Sequence, residues 1–275
     1  MNVDLLCSLV TEAGRAIRDA IGGEKKEGLS SIDHASKLAH RIIAEGLRGF
    51  CPDVPAFSKE DTEESGGSGE ELPRFFLVDP LDGAGAGRSG SGEFTVNVAL
   101  IEEGVPVMGA VYVPVAQTLY FASRGEGCWK VQDGVREQLR VKNPATGAPT
   151  RVVVNRSQIS PDTVSLIDLL PGSSATIARD SALKFCAIAE GEADFYPQLE
   201  STREWETAAG QILVTEAGGV VTDFHGTPHT YNKTGLVNGP FFVAPSLAWL
   251  RAMDLLDCQK RLAERECEYL ATSCR

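Results

Sequence analysis

The sequence predicts an α/β protein built in layers, and three observations predict it. Two segments with helical spacing of apolar residues open the chain. A run of short β-rich segments joined by tight turns follows, and the remainder alternates strands with helices. No internal repeat breaks this order, and no apolar run approaches the length of a membrane span.

Residues 3–21 place Leu5, Leu6, Val10, Ala13, Ile17 and Ile21 at helical spacing, and residues 35–49 repeat the pattern with Leu38, Ile42, Ile43 and Leu47. GGEKKEGLSSID (22–33) between them predicts a polar loop, and TEESGGSGEEL (62–72) predicts a second. The period then changes. RFFLVD (74–79), FTVNVALI (94–101), VPVMGAVYVPV (105–115), QTLYFAS (117–123) and GEGCWKV (125–131) predict strands with hairpin connections, hence an antiparallel or mixed sheet. The stretch around 134–150 is polar and turn-rich, which predicts a boundary between a 1–140 half and a 141–275 half of one compact unit. Beyond it RVVVN (151–155) predicts a strand, and SPDTVSLIDLL (160–170) a helix with Ser160 as cap and Pro161 in first position. SALKFCAIAEG (181–191) predicts a helix ending at Gly191, ADFYP (193–197) a strand, and EWETAAGQILVTEA (204–217) a helix closed by Gly218 and Gly219. GVVTDF (219–224) predicts a strand, and residues 246–267 a final helix.

A length of 275 residues with 43% hydrophobic and 23% charged residues suits a globular chain with a sizeable core. The net charge of −12 repels polyanions, which argues against a nucleic-acid partner, while a small anion needs only a local cation or a nest of amides. The opening MNVDLL carries an acid and no basic n-region, so no signal peptide is expected; the short apolar runs predict no membrane partner, and the cysteine pattern predicts a cytoplasmic location. Seven cysteines form no CxxC pair and the number is odd, which predicts reduced thiols rather than a disulfide framework or a zinc site. The four histidines are scattered and suggest no role.

The stretch DPLDGAGAGRSGSGEF (79–94) bears most on function. Asp79 and Asp82, with the Leu81 carbonyl between them, are oxygen donors able to converge on a hard cation such as Mg²⁺; a plain turn with Asp82 as a helix cap is the alternative. GAGRSG (85–90) matches G-x-G-x-x-G, but it runs toward a strand rather than opening a helix, so a dinucleotide site is not expected. Trp205 reads as core, and Glu216 and Asp223 as exposed charge; the sequence leaves Lys233 and Asn238 undecided.

PDVPAFSKED (52–61), FLVDPLDG (76–83), GEFTVNVALIEEGVPVMGAVYVPV (92–115), ALKFCAIAEGEADFYP (182–197) and WETAAGQILVTEAGG (205–219) occur in one order. Together they resemble the inositol monophosphatase-like superfamily, and within it the bacterial 3'(2'),5'-bisphosphate nucleotidases of the CysQ type. The resemblance covers nearly the whole chain apart from its C-terminal tail. It implies the αβαβα fold, possible homodimers, and Mg²⁺-dependent removal of phosphate from a small soluble ester, typically 3'-phosphoadenosine 5'-phosphate. It implies metal ligands at Asp79, Leu81, Asp82 and Glu206, phosphate held by the amides of Gly83 and Ala84, and a substrate-binding turn with Ser181 and Lys184.

The chain departs from that pattern at positions that all touch the same chemistry. The expected acid of an SEED-like segment is Lys59, and the expected Thr after DPLDG is Ala84. The Asp of a WDTAAG-like motif is Glu206, an early Asp aligns with Ser36, and an Arg expected after FYP is Gln198. An ammonium in place of a carboxylate ligand changes local charge by two units, each worth roughly 4 kcal/mol at about 4 Å and an effective dielectric near 20. Losing the hydroxyl that orients water costs a factor of about 10². Glu60, or Glu63 and Glu64, can supply the missing ligand; alternatively the Lys59 ammonium replaces the metal charge beside Asp79 and Asp82. The readings are therefore a Mg²⁺-dependent nucleotide phosphatase, a non-hydrolytic descendant that binds a nucleotide or sugar phosphate or acts as an interaction partner, or a repurposed enzyme in the same cleft.

Overall fold

The computed structural model describes residues 2–23, 29–61, 72–84, 91–145, 147–156, 158–256 and 258. Its elements in chain order are α1 (Val3–Gly23), α2 (Leu29–Phe50), β1 (Ala56–Ser58), β2 (Arg74–Asp82), β3 (Thr95–Glu102), β4 (Val105–Val113), β5 (Thr118–Ser123), β6 (Gly127–Gln132) and β7 (Val135–Leu139). There follow β8 (Thr150–Val154), α3 (Pro161–Asp168), β9 (Ser174–Ala178), α4 (Leu183–Ala189), β10 (Tyr196–Gln198), β11 (Thr202–Arg203), α5 (Glu204–Glu216), β12 (Val220–Thr222), β13 (Val237–Asn238), β14 (Phe241–Ala244) and α6 (Leu247–Ala252).

Strands β1 to β7 form one seven-stranded sheet in sequence order, with β1 parallel to β2 and every later neighbour antiparallel. Alternate residues of β2 serve the two faces. Phe76 and Val78 meet Leu6, Val10, Ile17, Ile43 and Leu47 of the first two helices, while Phe75 and Leu77 meet Phe185, Ala208 and Ile212 of α4 and α5. With both faces covered, the strand reads as one apolar run rather than an alternation. Helix α1 lies close against β4 because residue 14 is glycine: a Cβ there would stand 2.3 Å from the Tyr112 ring. Beyond α4 and α5 lies the small sheet β10–β14–β12, and a further apolar cluster joins Phe195, Phe242 and Val152 to Leu166 of α3 and Leu250 of α6. The layers thus run αβαβα, as the resemblance implies.

Differences from the sequence expectation have simple causes. Strand β7 occupies the stretch expected to be a polar boundary; its first four residues are exposed, so no apolar period marks it. Strand β9 is likewise mostly exposed and was not expected. Helix α2 begins at Leu29, inside the predicted loop. The last helix spans Leu247–Ala252 and ends there: residues 253–256 are not helical and Asp254 is left-handed (φ 53°), so the predicted 246–267 helix is broken after its first turns, and residues 257 and 259–267 lie outside the described residues. Ser160 caps α3 by accepting from the Thr163 amide, with Pro161 in first position, as expected. Burial pushes the Cys7 and Cys128 thiols up to about 12, so both are inert at neutral pH. Among the described residues no helix is long and apolar enough to cross a membrane.

His229 makes stability depend on pH. Burial, and then the Lys233 ammonium, hold the imidazole down to about 4, and its Nε2 is buried without a hydrogen-bond partner. The folded state therefore favours neutral imidazole. Its contribution is intact above the unfolded value near 6.5 and is lost as pH falls toward 4. Urea unfolding at pH 7 and pH 5 is expected to show a loss of about 2 kcal/mol from this group, absent in His229→Gln. An equal pH response in the two proteins contradicts the assignment.

Candidate functional site

A bulge in β2 brings both aspartates of DPLDG to one side of the sheet, where Asp82 lines a cleft and Asp79 is fully buried. Asp79 stands opposite Asn97 and Asp82 opposite Thr95, so three steps on β2 match two on β3. Residues three apart on a regular strand face opposite sides; the extra residue re-aims Asp82 to the side of Asp79. The two carboxylates feel each other. Asp79 is fully buried; that burial first, and Asp82 second, push its carboxyl up. Burial also pushes up Asp82, opposed by the Lys184 and Lys59 ammoniums and by the Asn97 amide at 3.4 Å.

Lys59 reaches this pair because β1 runs parallel to β2. Ser58 is level with Val78, and the Lys59 amide donates to the Val78 carbonyl at 3.2 Å. The side chain then crosses β2, where Nζ donates to the Leu81 carbonyl at 2.9 Å and lies 3.5 Å from Asp79 Oδ1. Burial pulls the half-buried ammonium down, but Asp79, Asp82 and Glu206 together hold it above the ordinary lysine value. Helix α2 steadies the turn that carries it. The Ser36 hydroxyl donates to Glu60 Oε1 at 2.5 Å, and one turn on, His40 places Nδ1 2.9 Å from Ser58 Oγ and Nε2 3.3 Å from Asp61 Oδ1. Glu60 is thus held on Ser36, at the position where the resemblance implies an acid. Glu63, Glu64 and the GAGRSG segment lie outside the described residues.

The opposite wall comes from α4, α5 and strand ends. Glu206 is the third residue of α5, and its Oε2 accepts from the Arg203 amide at 3.1 Å, capping its own helix. Burial, with Asp82 next, pushes its carboxyl up. Lys184 Nζ donates to Asn155 Oδ1 at 2.6 Å and sits 5.4 Å from the Tyr196 ring centre. Burial pulls this ammonium down, with Asp82 the largest opposing influence.

Ser181 holds a left-handed backbone (φ 56°), and its hydroxyl lies 2.8 Å from the Glu93 carbonyl and 3.1 Å from that of Asp82. Gly83 passes against it with φ +80°, where a Cβ would come 1.9 Å from Ser181 Oγ. Gly83→Ala is therefore expected to cost about 2 kcal/mol or more in unfolding free energy, part of it recovered by adding Ser181→Ala. An unchanged unfolding midpoint in Gly83→Ala contradicts that close approach.

These walls enclose a cleft of about 240 Å³ lined by Asp82, Asn155, Lys184, Tyr196, Thr202 and Glu206, among others. Sequence reasoning missed Asn155, Tyr196 and Thr202. They lie at strand ends or between strands, and nothing in their spacing sets them apart from ordinary core and loop residues. Gln198 accepts from the Tyr196 hydroxyl at 2.9 Å and donates to the Glu200 carbonyl at 3.2 Å. The undecided Lys233 pairs with buried Glu204 at 3.1 Å, and Asn238 donates to Thr207 Oγ1 at 2.7 Å, so both fasten the start of α5. Trp205 is buried, as expected. Glu216 and Asp223, expected to be merely exposed charge, organise turns by accepting amides of Gly125 and Gly127, and of His225 and Thr227. A larger cavity of about 380 Å³ around Phe224, Pro228 and Lys233 includes neither aspartate of DPLDG.

The oxygen donors implied for a divalent ion divide into two parts. Neither carboxylate oxygen of Asp79 has a hydrogen bond, which suits a cation-facing group. The Leu81 carbonyl and one side of Asp79, however, already face the Lys59 ammonium. Among the described residues no three His, Cys, Asp or Glu side chains come together closely enough to hold a metal ion, and Glu206 is turned onto its own helix end. The residues present do not fit the implied set of cations.

Comparison with known proteins agrees with the layered fold. Residues 3–260 match the Inositol monophosphatase family. The 3'(2'),5'-bisphosphate nucleotidase CysQ of Salmonella typhimurium is 39% identical over 246 residues, 87% of this chain and 98% of the relative. That of Escherichia coli K12 is 39% identical over 250 residues, with the same two coverages. The crystal structure of CysQ from Bacteroides thetaiotaomicron superposes with a TM-score of 0.76 at 31% identity, covering 89% of this chain and 97% of that one. Inositol monophosphatase II from Staphylococcus aureus shares the fold with a TM-score of 0.77 at 20% identity, covering 92% of this chain and 95% of its own.

Proposed function

The chain belongs to the inositol monophosphatase family, and we propose that its cleft takes a small phosphate ester of the 3'(2'),5'-bisphosphate nucleoside kind for which its relatives are named, and holds it rather than turning it over rapidly. The observation that carries this reading is the Lys184 ammonium, anchored on Asn155 at 2.6 Å and lining the same cleft as Asp82 of DPLDG. A fixed, partly desolvated ammonium is a strong partner for a phosphate oxygen. The Thr202 side chain adds a donor in the same cleft, and the resemblance implies further donors in the Gly83 and Ala84 amides. Tyr196 offers an aromatic face in the same cleft.

The Mg²⁺ dependence that the lineage implies is curtailed in this reading. Ala84 brings no hydroxyl to orient a water, Lys59 stands on the Leu81 carbonyl, and Glu206 is engaged as a cap. A second reading, a Mg²⁺-dependent phosphatase acting on the same ester, is favoured by one observation, the two buried Asp79 oxygens without hydrogen bonds.

Calorimetric titration with 3'-phosphoadenosine 5'-phosphate tests the binding reading. Saturable 1:1 binding, weakened by adenosine lacking phosphates, is expected. Absence of heat at millimolar ligand, with the protein folded, contradicts it.

A further inference from the structure

We propose that the Lys59 ammonium is a built-in cation, filling the place of a divalent ion against Asp79 and the Leu81 carbonyl, so that the site is assembled without metal. A carbonyl and a fully buried carboxylate are the oxygen donors that a hard cation seeks. Here an ammonium stands against both, 2.9 Å from one and 3.5 Å from the other. A buried carboxylate with no hydrogen bonds needs a compensating charge, and Lys59 supplies it from within the chain.

The position of that ammonium is held from outside the cleft. Lys59 follows directly on β1, and its two neighbours in sequence are tied to α2 through His40–Ser58 and Ser36–Glu60. A lysine on a mobile loop would be a surface charge that visits the aspartates. One whose backbone is fixed on both sides, and whose amide is bonded to β2, is a fixed part of the site. A divalent ion at the same donors would have to displace it and would meet a like charge a few ångströms away.

The inference rests on the cleft reading only for what the site is used for. Its test contains no phosphate ester, so failure of either leaves the other standing. Mn²⁺ is titrated into the full chain and free ion is followed by electron paramagnetic resonance, for wild type, Lys59→Glu, and Lys59→Glu with Asp79→Asn. Wild type is expected to bind no Mn²⁺ below millimolar concentrations. Lys59→Glu is expected to bind at least tenfold more tightly, and the added Asp79→Asn to abolish that gain. Because Lys59→Glu crowds acidic groups and is at risk of folding poorly, Lys59→Met is measured in parallel by thermal unfolding. Its midpoint should fall and be raised again by 5 mM Mg²⁺, an ion concentration that leaves wild type unmoved. Tight Mn²⁺ binding by wild type that Asp79→Asn removes would overturn the proposal. So would a Lys59→Glu protein that is folded and binds no better than wild type, or a Lys59→Met protein indifferent to Mg²⁺.

Discussion

Lys59→Glu combined with Ala84→Thr is expected to give a protein that releases phosphate from 3'-phosphoadenosine 5'-phosphate in a Mg²⁺-dependent way, at least about tenfold faster than wild type. The first change replaces a cation beside Asp79 by an anion. At about 4 Å and an effective dielectric near 20, each unit of charge is worth roughly 4 kcal/mol to an ion held there, so this change dominates. It also frees the Leu81 carbonyl, which the ammonium now occupies at 2.9 Å. The second change restores a hydroxyl next to Gly83, where an attacking water needs a partner, worth a factor of about 10². Glu206→Asp is a useful third step, since a shorter side chain reaches the Arg203 amide less readily and leaves its carboxylate to the cleft. Phosphate release measured with Mg²⁺ and with chelator checks this. No gain in the folded double variant would mean that Lys59 and Ala84 are not what limits hydrolysis.

Lys184→Met is expected to weaken binding of the same ester by about 100-fold, roughly 3 kcal/mol. Lys184 is the cation that lines the cleft beside Asp82, and methionine keeps most of its bulk while removing the charge. The loss has two parts: the pair with the phosphate disappears, and Asp82 keeps its negative charge with less opposing it. Lys184→Arg should recover little, because the ammonium fits one Asn155 oxygen at 2.6 Å and a planar guanidinium does not occupy that point. Calorimetry on folded variants decides. Equal affinity in wild type and Lys184→Met would place the ester elsewhere, and the cavity around Lys233 would become the next candidate.

What the sequence made legible follows from how burial leaves its mark. Strands β2 to β4 were readable because both faces of the sheet are covered there, and the strands carry long apolar runs between turn residues. Strands β7 and β9 were not, because their exposed residues give no apolar period, and only backbone pairing to a neighbour makes them strands. At the site, Asp79, Asp82, Lys59 and Glu206 were visible as a motif and as departures from a family pattern. What each now does depends on geometry that spacing does not encode. The bulge in β2, the crossing of Lys59 onto the Leu81 carbonyl and the turn of Glu206 onto the Arg203 amide each follow from how neighbouring elements dock. Asn155, Tyr196 and Thr202 join the cleft only through the folding of the second half onto the first, so no local signal marks them. Ser181 lines the cleft, and its hydroxyl lies against the backbone carbonyls of Asp82 and Glu93, beside Gly83.

The most direct test of the central claim, that this cleft keeps a phosphate ester without the family's metal-dependent turnover, is phosphate release from 3'-phosphoadenosine 5'-phosphate by purified wild-type protein. It is measured with and without Mg²⁺ and against Asp79→Asn. The account predicts release no greater than that of Asp79→Asn in either condition, under concentrations at which calorimetry detects the ester bound. Mg²⁺-dependent release that Asp79→Asn abolishes would contradict it, and would mean that a divalent ion reaches Asp79 despite Lys59.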